Sequence, residues 1–118
     1  MAIVVYHYPN CSTCKKALAW LSANAIEFEP IDIVRTPPSR AELERAARLA
    51  GAPIRKLFNV SGESYRADNY KARLATMTDA QAFAALAADG KLIKRPLALG
   101  DGVALIGFDE AAWRAALR

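Results

Sequence analysis

An α/β domain with a four-stranded mixed sheet is the fold class this sequence predicts. Three observations carry it. Strand, helix and strand patterns follow one another over residues 3–33. Two Ser/Thr-x-x-Glu/Gln capping boxes open helices in the middle of the chain. A Gly-Asp-Gly turn separates two short apolar runs near the end. The 118 residues suit one domain. They are 53% hydrophobic and 24% charged, which excludes intrinsic disorder. A chain of this length can bury a sizeable core unaided.

Ile3-Val4-Val5-Tyr6 is a β-branched and aromatic run that reads as a buried strand. Tyr8-Pro9-Asn10 breaks it. From Ser12 to about Asn24, Ala17, Leu18 and Leu21 recur at helical spacing, with Trp20 beside them. Residues 26–33 alternate apolar and polar, a half-buried strand, and Pro30 places it at an edge or makes it irregular. A strand–helix–strand crossover of this kind is right-handed. Ser39 and Glu42 form the first capping box and open a helix to about Ala50, ended by Gly51. Pro53 starts a short helix through Leu57. The polar stretch from Asn59 to Asn69 reads as loop. Thr78 and Gln81 form the second box, opening a helix to about Ala88 that Asp89-Gly90 stops. The runs 97–99 and 103–106 flank Gly100-Asp101-Gly102 as a hairpin. Asp109 caps the last helix, with Phe108 and Trp113 as its hydrophobic staple.

Lys and Arg outnumber Asp and Glu by 16 to 12, a net charge of +4. That modest excess suits a small anionic ligand. It does not suit a nucleic-acid duplex, because no helix carries a concentrated basic face. The N-terminus lacks the basic segment of a signal peptide. No apolar run approaches the ~18 residues of a membrane span. The chain therefore reads as cytosolic and soluble, and no feature calls for more than a monomer.

Two cysteines are present, Cys11 and Cys14. The count excludes a disulfide-rich secreted scaffold. They sit where the first strand hands over to the first helix. A helix N-terminus offers unpaired N–H groups and about half a positive charge, and both favour a thiolate. Cys11 is thus a candidate nucleophile, with Lys15 and Lys16 adding positive charge nearby. Cys14, one turn along, is placed to resolve a mixed disulfide. Two buried core cysteines, or half of a zinc site, are the competing readings. A zinc site needs about four ligands, and this chain has two Cys and a single His, so no metal is expected. His7 can either hydrogen-bond the Cys11 loop or, protonated, stabilise its thiolate. Arg95 can grip an oxyanion or carboxylate through a forked pair of hydrogen bonds. Pro96 either begins a strand or carries a cis bond. Arg66 is a second candidate anion ligand. For both arginines the competing reading is a solvated surface side chain, the reading given to Lys94.

Tyr6-His7-x-Pro9-x-Cys11-x-Thr13, then Thr36-Pro37-Pro38-Ser39-Arg40-x-Glu42-Leu43, then Lys94-Arg95-Pro96-Leu97 resemble the arsenate reductase ArsC/Spx family. Leu57-Phe58-Asn59 and Gly107-Phe108 extend the resemblance over nearly the whole chain. It implies a thioredoxin/glutaredoxin-like fold in one domain. Residues 1–35 and 91–118 would form the core, and 36–90 a helical insert. It also implies that Cys11 is the nucleophile and His7 the histidine associated with lowering its pKa. Arg95 would bind the oxyanion, and Pro96 would be the cis proline. Ser12 and Thr13, in the Cys11 loop, join Arg95, Arg66 and Pro96 as candidate substrate contacts. In glutaredoxin-dependent arsenate reductases two further arginines complete the anion site; their positions here are Asn59 and Gly107. Cys14 stands where arsenate reductases of this branch have serine and Spx-type regulators have the second thiol of a redox switch.

Two functions follow from the resemblance. The first is a thiol oxidoreductase in which Cys11 attacks an oxyanion or mixed disulfide and Cys14 or glutathione resolves the intermediate. Glutathione would be a co-substrate, not a bound cofactor, and glutaredoxin or thioredoxin a possible partner. The second is an Spx-like regulator that binds RNA polymerase through a Cys11–Cys14 switch. The match of His7 to a thiol-activating histidine favours the first.

Overall fold

The computed structural model describes residues 3–118; Met1 and Ala2, part of the N-terminal run read above, lie outside the described residues. Strand β1 is Ile3–His7, followed by helix α1 (Ser12–Ala23) and strand β2 (Phe28–Asp32). Helices α2 (Arg40–Ala50), α3 (Glu63–Ala67), α4 (Tyr70–Arg73) and α5 (Asp79–Ala88) come next, with 3-10 turns at Ile54–Leu57 and Gly90–Leu92. The hairpin β3 (Leu97–Gly100) and β4 (Val103–Ile106) leads into α6 (Glu110–Leu117). The sheet order is β2-β1-β3-β4. β1 and β2 run parallel, while β3 lies antiparallel to both β1 and β4. This is the mixed α/β architecture of the thioredoxin-like class.

The alternation of β1 decides which helices cover which face. Ile3 and Val5 join Ala17, Trp20, Leu21, Ala98 and Trp113 in a core under α1 and α6. Tyr6 joins Leu43, Leu57, Phe58, Leu86, Leu97 and Leu99 on the opposite face, under α2 and α5. A hydrogen bond ties that face to the helices above it: the Tyr6 hydroxyl donates to Glu42 Oε2 at 2.9 Å. Glu42 is also the third helical residue of the α2 capping box.

Both capping boxes form as expected, at Ser39/Glu42 and Thr78/Gln81. Gly51 ends α2 in the left-handed region at φ 63. Phe108 and Trp113 meet edge-on with ring centroids 5.1 Å apart, as the staple at Asp109 requires. β2 is an edge strand, where the missing N–H of Pro30 is tolerated. It is shorter than the alternating run, covering Phe28–Asp32.

One segment corrects the sequence reading. Part of the stretch taken as loop, Asn59–Asn69, is helix α3. Five residues are too few to display a 3.6-residue period, and α3 buries none of its residues fully. Its contribution is aromatic, because Tyr65 meets Phe58 and Tyr70 at centroid distances of 6.2 Å each.

The end of α1 carries strain. Ala25 N–H donates to Ser22 O and Ile26 N–H to Leu21 O, the paired bonds of a Schellman motif. Ala25 therefore holds φ 57, where an L-residue pays about 1–2 kcal/mol and glycine does not. Ala25→Gly is expected to stabilise the fold by about 0.5 kcal/mol after the greater unfolded-state entropy of glycine. A thermal melt would show this as a rise of about 2–4 °C, and a fall would contradict it.

Candidate active site

Cys11 is the N-cap residue of α1, with extended backbone at φ −93 and ψ 116. Its main-chain N–H donates to Tyr8 O at 2.9 Å, and its carbonyl accepts Lys15 N–H at 3.1 Å, closing the first helical turn. The side chain does what a Ser or Asp would do at this position. Cys11 Sγ accepts the Cys14 N–H at 3.4 Å. The first turn of α1 contains no acidic residue, so nothing competes for the helix dipole.

Partial burial raises the Cys11 pKa, but opposing groups outweigh it and the net shift is downward. Those groups are the Cys14 thiol and N–H, the positive charge of Arg95, and the Thr13 N–H. Cys14 is the opposite case. It is completely buried, and burial pushes its thiol up to about 12, with the Cys11 hydrogen bond and charge adding to the rise. Both cysteines are free thiols. The pair is therefore asymmetric: one sulfur is accessible and favoured as thiolate, while the other is enclosed, protonated and bonded to it.

A hollow of about 370 Å³ opens in front of Cys11. Thr13, Asn59, Lys94, Arg95, Ile106, Gly107, Phe108 and Asp109 line it with Cys11. Arg95 is oriented twice. Its guanidinium carbon lies 4.8 Å from the centre of the Tyr8 ring, and Nη1 donates to Lys91 O at 3.4 Å. The bond between Arg95 and Pro96 is cis, one of the two alternatives the sequence left open.

Other candidates are placed differently. Ser12 is exposed at the start of α1 and does not line the hollow. His7 ends β1 on the face shared with Ile3 and Val5, which α1 covers. It is half-buried, makes no side-chain hydrogen bond among the described residues, and is not among the groups that lower the Cys11 pKa. Arg66 is not brought to the hollow. Tyr65 faces the aromatic cluster, and a neighbour about 100° further round the helix projects into solvent, where Arg66 is exposed.

Lys94 is the residue that sequence reasoning missed. The sequence reads it as solvated, and it is exposed, yet it borders the same hollow as Cys11. Its adjacency to Arg95 was the available signal, but adjacent residues of extended chain ordinarily face opposite ways. Among the described residues no group of three or more His, Cys, Asp or Glu is arranged to hold a metal ion. No described helix is long and apolar enough to cross a membrane.

A lowered pKa gives a signed pH dependence. The thiolate contributes stability in full above the unfolded value of ~8.5, and loses it as pH falls through the lower folded value. Arg95→Met removes a positive charge that favours the thiolate. The pH midpoint of iodoacetamide reaction at Cys11 should then rise towards ~8.5. An unchanged midpoint would refute the role of Arg95.

The fold and the paired thiols define a class of thioredoxin-like proteins built around a thiol at a helix N-terminus. Within that class, the ArsC family profile matches residues 6–116, and the chain belongs to the ArsC family. The structure of a putative ArsC family related protein from Bacteroides fragilis matches with a TM-score of 0.93 and 40% identity, covering 98% of this chain and 97% of that one. A possible arsenate reductase from Streptococcus mutans matches with a TM-score of 0.89 and 37% identity over 97% of both chains. The uncharacterized protein YusI of Bacillus subtilis is 40% identical over 93% of each chain. The regulatory protein MgsR of the same organism is 27% identical over 91% of this chain and 83% of its own.

Proposed function

We propose that this protein is a cytoplasmic thiol oxidoreductase that reduces mixed disulfides. The observation that carries this reading is the pairing of Cys11 as N-cap, its sulfur facing a hollow and its pKa lowered, with an enclosed Cys14 bonded to it. The Cys11 thiolate attacks one sulfur of the substrate disulfide. A Cys11 mixed disulfide forms, the substrate S–S bond breaks, and the departing half leaves as a thiolate.

The second step uses the asymmetry of the pair. Once Cys11 is in a disulfide it carries no charge and accepts no proton from Cys14. Two of the causes that raise the Cys14 pKa are then gone. Cys14 loses its proton more readily and attacks Cys11 Sγ, releasing the second half of the substrate and leaving a Cys11–Cys14 disulfide. Glutathione, or a dithiol partner such as glutaredoxin or thioredoxin, supplies the two electrons that reopen it. Glutathione attacking the first mixed disulfide directly is the shorter route. Thr13 supports this reading by contributing its N–H to the thiolate.

Arsenate is a poorer fit than a disulfide. Asn59 and Gly107 line the hollow at the two positions where the family resemblance implies arginine in arsenate reductases. The likeness to a regulatory protein, MgsR, supports one other reading, an Spx-like regulator that would bind RNA polymerase through a Cys11–Cys14 disulfide switch.

The test combines glutathione, glutathione reductase and NADPH with either a glutathione mixed disulfide or, with glutaredoxin added, arsenate. NADPH loss that depends on the mixed disulfide and exceeds the protein-free rate is expected. No loss with either substrate, together with oxidant-dependent co-purification of RNA polymerase, would replace the enzyme with the regulator.

A further inference from the structure

We propose that Lys94 is the second anion-binding side chain of the Cys11 hollow, and that it directs the site to disulfides whose thiol halves carry carboxylates. The proposal rests on the oxidoreductase reading and names its substrate class. A peptide thiol of the glutathione type, with two carboxylates, belongs to that class.

The position of Lys94 is set by its main chain. Its N–H donates to Leu57 O at 2.7 Å, Ile93 before it is fully buried, and the cis bond of Pro96 follows one residue later. Its side chain then runs across Gly107. A Cβ at position 107 would lie 2.9 Å from Lys94 Cε and 4.0 Å from its Nζ. Gly107 is itself pinned, donating to Pro96 O at 2.8 Å and accepting Trp113 Nε1 at 3.0 Å. It holds φ 75, the left-handed region that favours glycine. The lysine stem therefore occupies space that exists because residue 107 has no side chain. Where arsenate reductases place an arginine, this chain has a vacancy and lays a neighbouring cation across it.

The ammonium group makes no salt bridge among the described residues. Among the described residues no carboxylate lies within 4.0 Å of it. Asp109 borders the same hollow; its Oδ1 caps α6, accepting the Ala111 and Ala112 N–H groups at 3.0 and 3.4 Å, so its charge is directed at that helix start and the hollow keeps an excess of one positive side chain. Lys94 and Arg95 thus bring two positive charges to one hollow with a nucleophilic sulfur. A lysine is a point charge and an arginine a flat fork. Together they suit two separated carboxylates better than one compact tetrahedral oxyanion.

The carboxylates it would hold are not among the atoms whose bonds change, so it holds substrate and transition state alike. Lys94→Met should raise KM about fivefold for the mixed disulfide of glutathione and 2-mercaptoethanol, with kcat unchanged. A second measurement needs no turnover. Iodoacetate and iodoacetamide react with the same Cys11 thiolate, so the ratio of their rates cancels any pKa change and reports local positive charge. That ratio should fall about fivefold in Lys94→Met and recover in Lys94→Arg. It should fall in Gly107→Ala, whose folding is checked by circular dichroism, and stay constant in Lys71→Met, an exposed control on α4. An unchanged ratio in Lys94→Met, or an equal fall in the control, overturns the proposal. If wild type does not turn over the mixed disulfide, the oxidoreductase reading fails, and the alkylation ratio still decides whether Lys94 binds anions at Cys11.

Discussion

Cys11→Ser is expected to abolish mixed-disulfide reduction, with a loss of more than about 10³-fold, because a hydroxyl at the same position is neither ionised nor able to form the covalent intermediate. Serine is a better N-cap than cysteine, so the variant should fold at least as well and the loss is chemical. Cys14→Ser has a different expected outcome. Its hydroxyl can still donate to Cys11, but it cannot release the second substrate half. The Cys11 mixed disulfide with glutathione should accumulate, visible by mass spectrometry, and clear at a rate proportional to added glutathione. If Cys14→Ser shows wild-type turnover and no adduct, glutathione does all the resolving and the second thiol has another use. If Cys11→Ser keeps its activity, the assignment of the nucleophile is wrong.

The largest effect on folding is expected away from the site, at Gly90. A Cβ there would lie 1.9 Å from Ile33 O, 2.7 Å from Ile33 C and 3.0 Å from Val34 Cα. All three atoms are backbone, so no side chain can swing aside. Ile33 is fully buried, and its N–H donates to His7 O at 2.8 Å. The 3-10 turn at Gly90–Leu92 is thereby pressed against the end of β2. Gly90→Ala should cost about 3 kcal/mol or more, as overpacking against fixed atoms does, and lower the melting temperature by roughly 10–15 °C. Because Lys91 O orients Arg95, the same change should weaken the active site. A melting temperature within 2–3 °C of wild type, at roughly 4 °C per kcal/mol, would contradict the close approach.

Gly90 also shows where a sequence stops being informative. Asp89-Gly90 reads as a helix stop, and α5 does end before it, but the demand on Gly90 comes from Ile33, far away in the chain. What could be read was local. The capping boxes at Ser39 and Thr78, the hairpin around Asp101 and the staple at Phe108 are each signalled within a few residues, and each forms. The placement of Cys11 at a helix start is of this kind. What could not be read depends on approach across the fold. Lys94 enters the hollow because Gly107 leaves room, Arg66 leaves it because Tyr65 turns inward, and His7 contacts neither sulfur through a side-chain hydrogen bond. The family resemblance supplied Asn59 and Gly107 as site positions, which spacing alone did not.

The N-cap bond of Cys11 has one more consequence. The sulfur that reacts is also the acceptor that finishes α1. When that sulfur enters a disulfide it gives up its charge and becomes a poor acceptor. The opening turn of α1 then loses the side-chain acceptor of its Cys14 amide. The redox state of Cys11 and the capping of the first turn of α1 are thus linked. A partner able to sense the firmness of that turn could tell the reduced protein from the oxidised one without touching either cysteine.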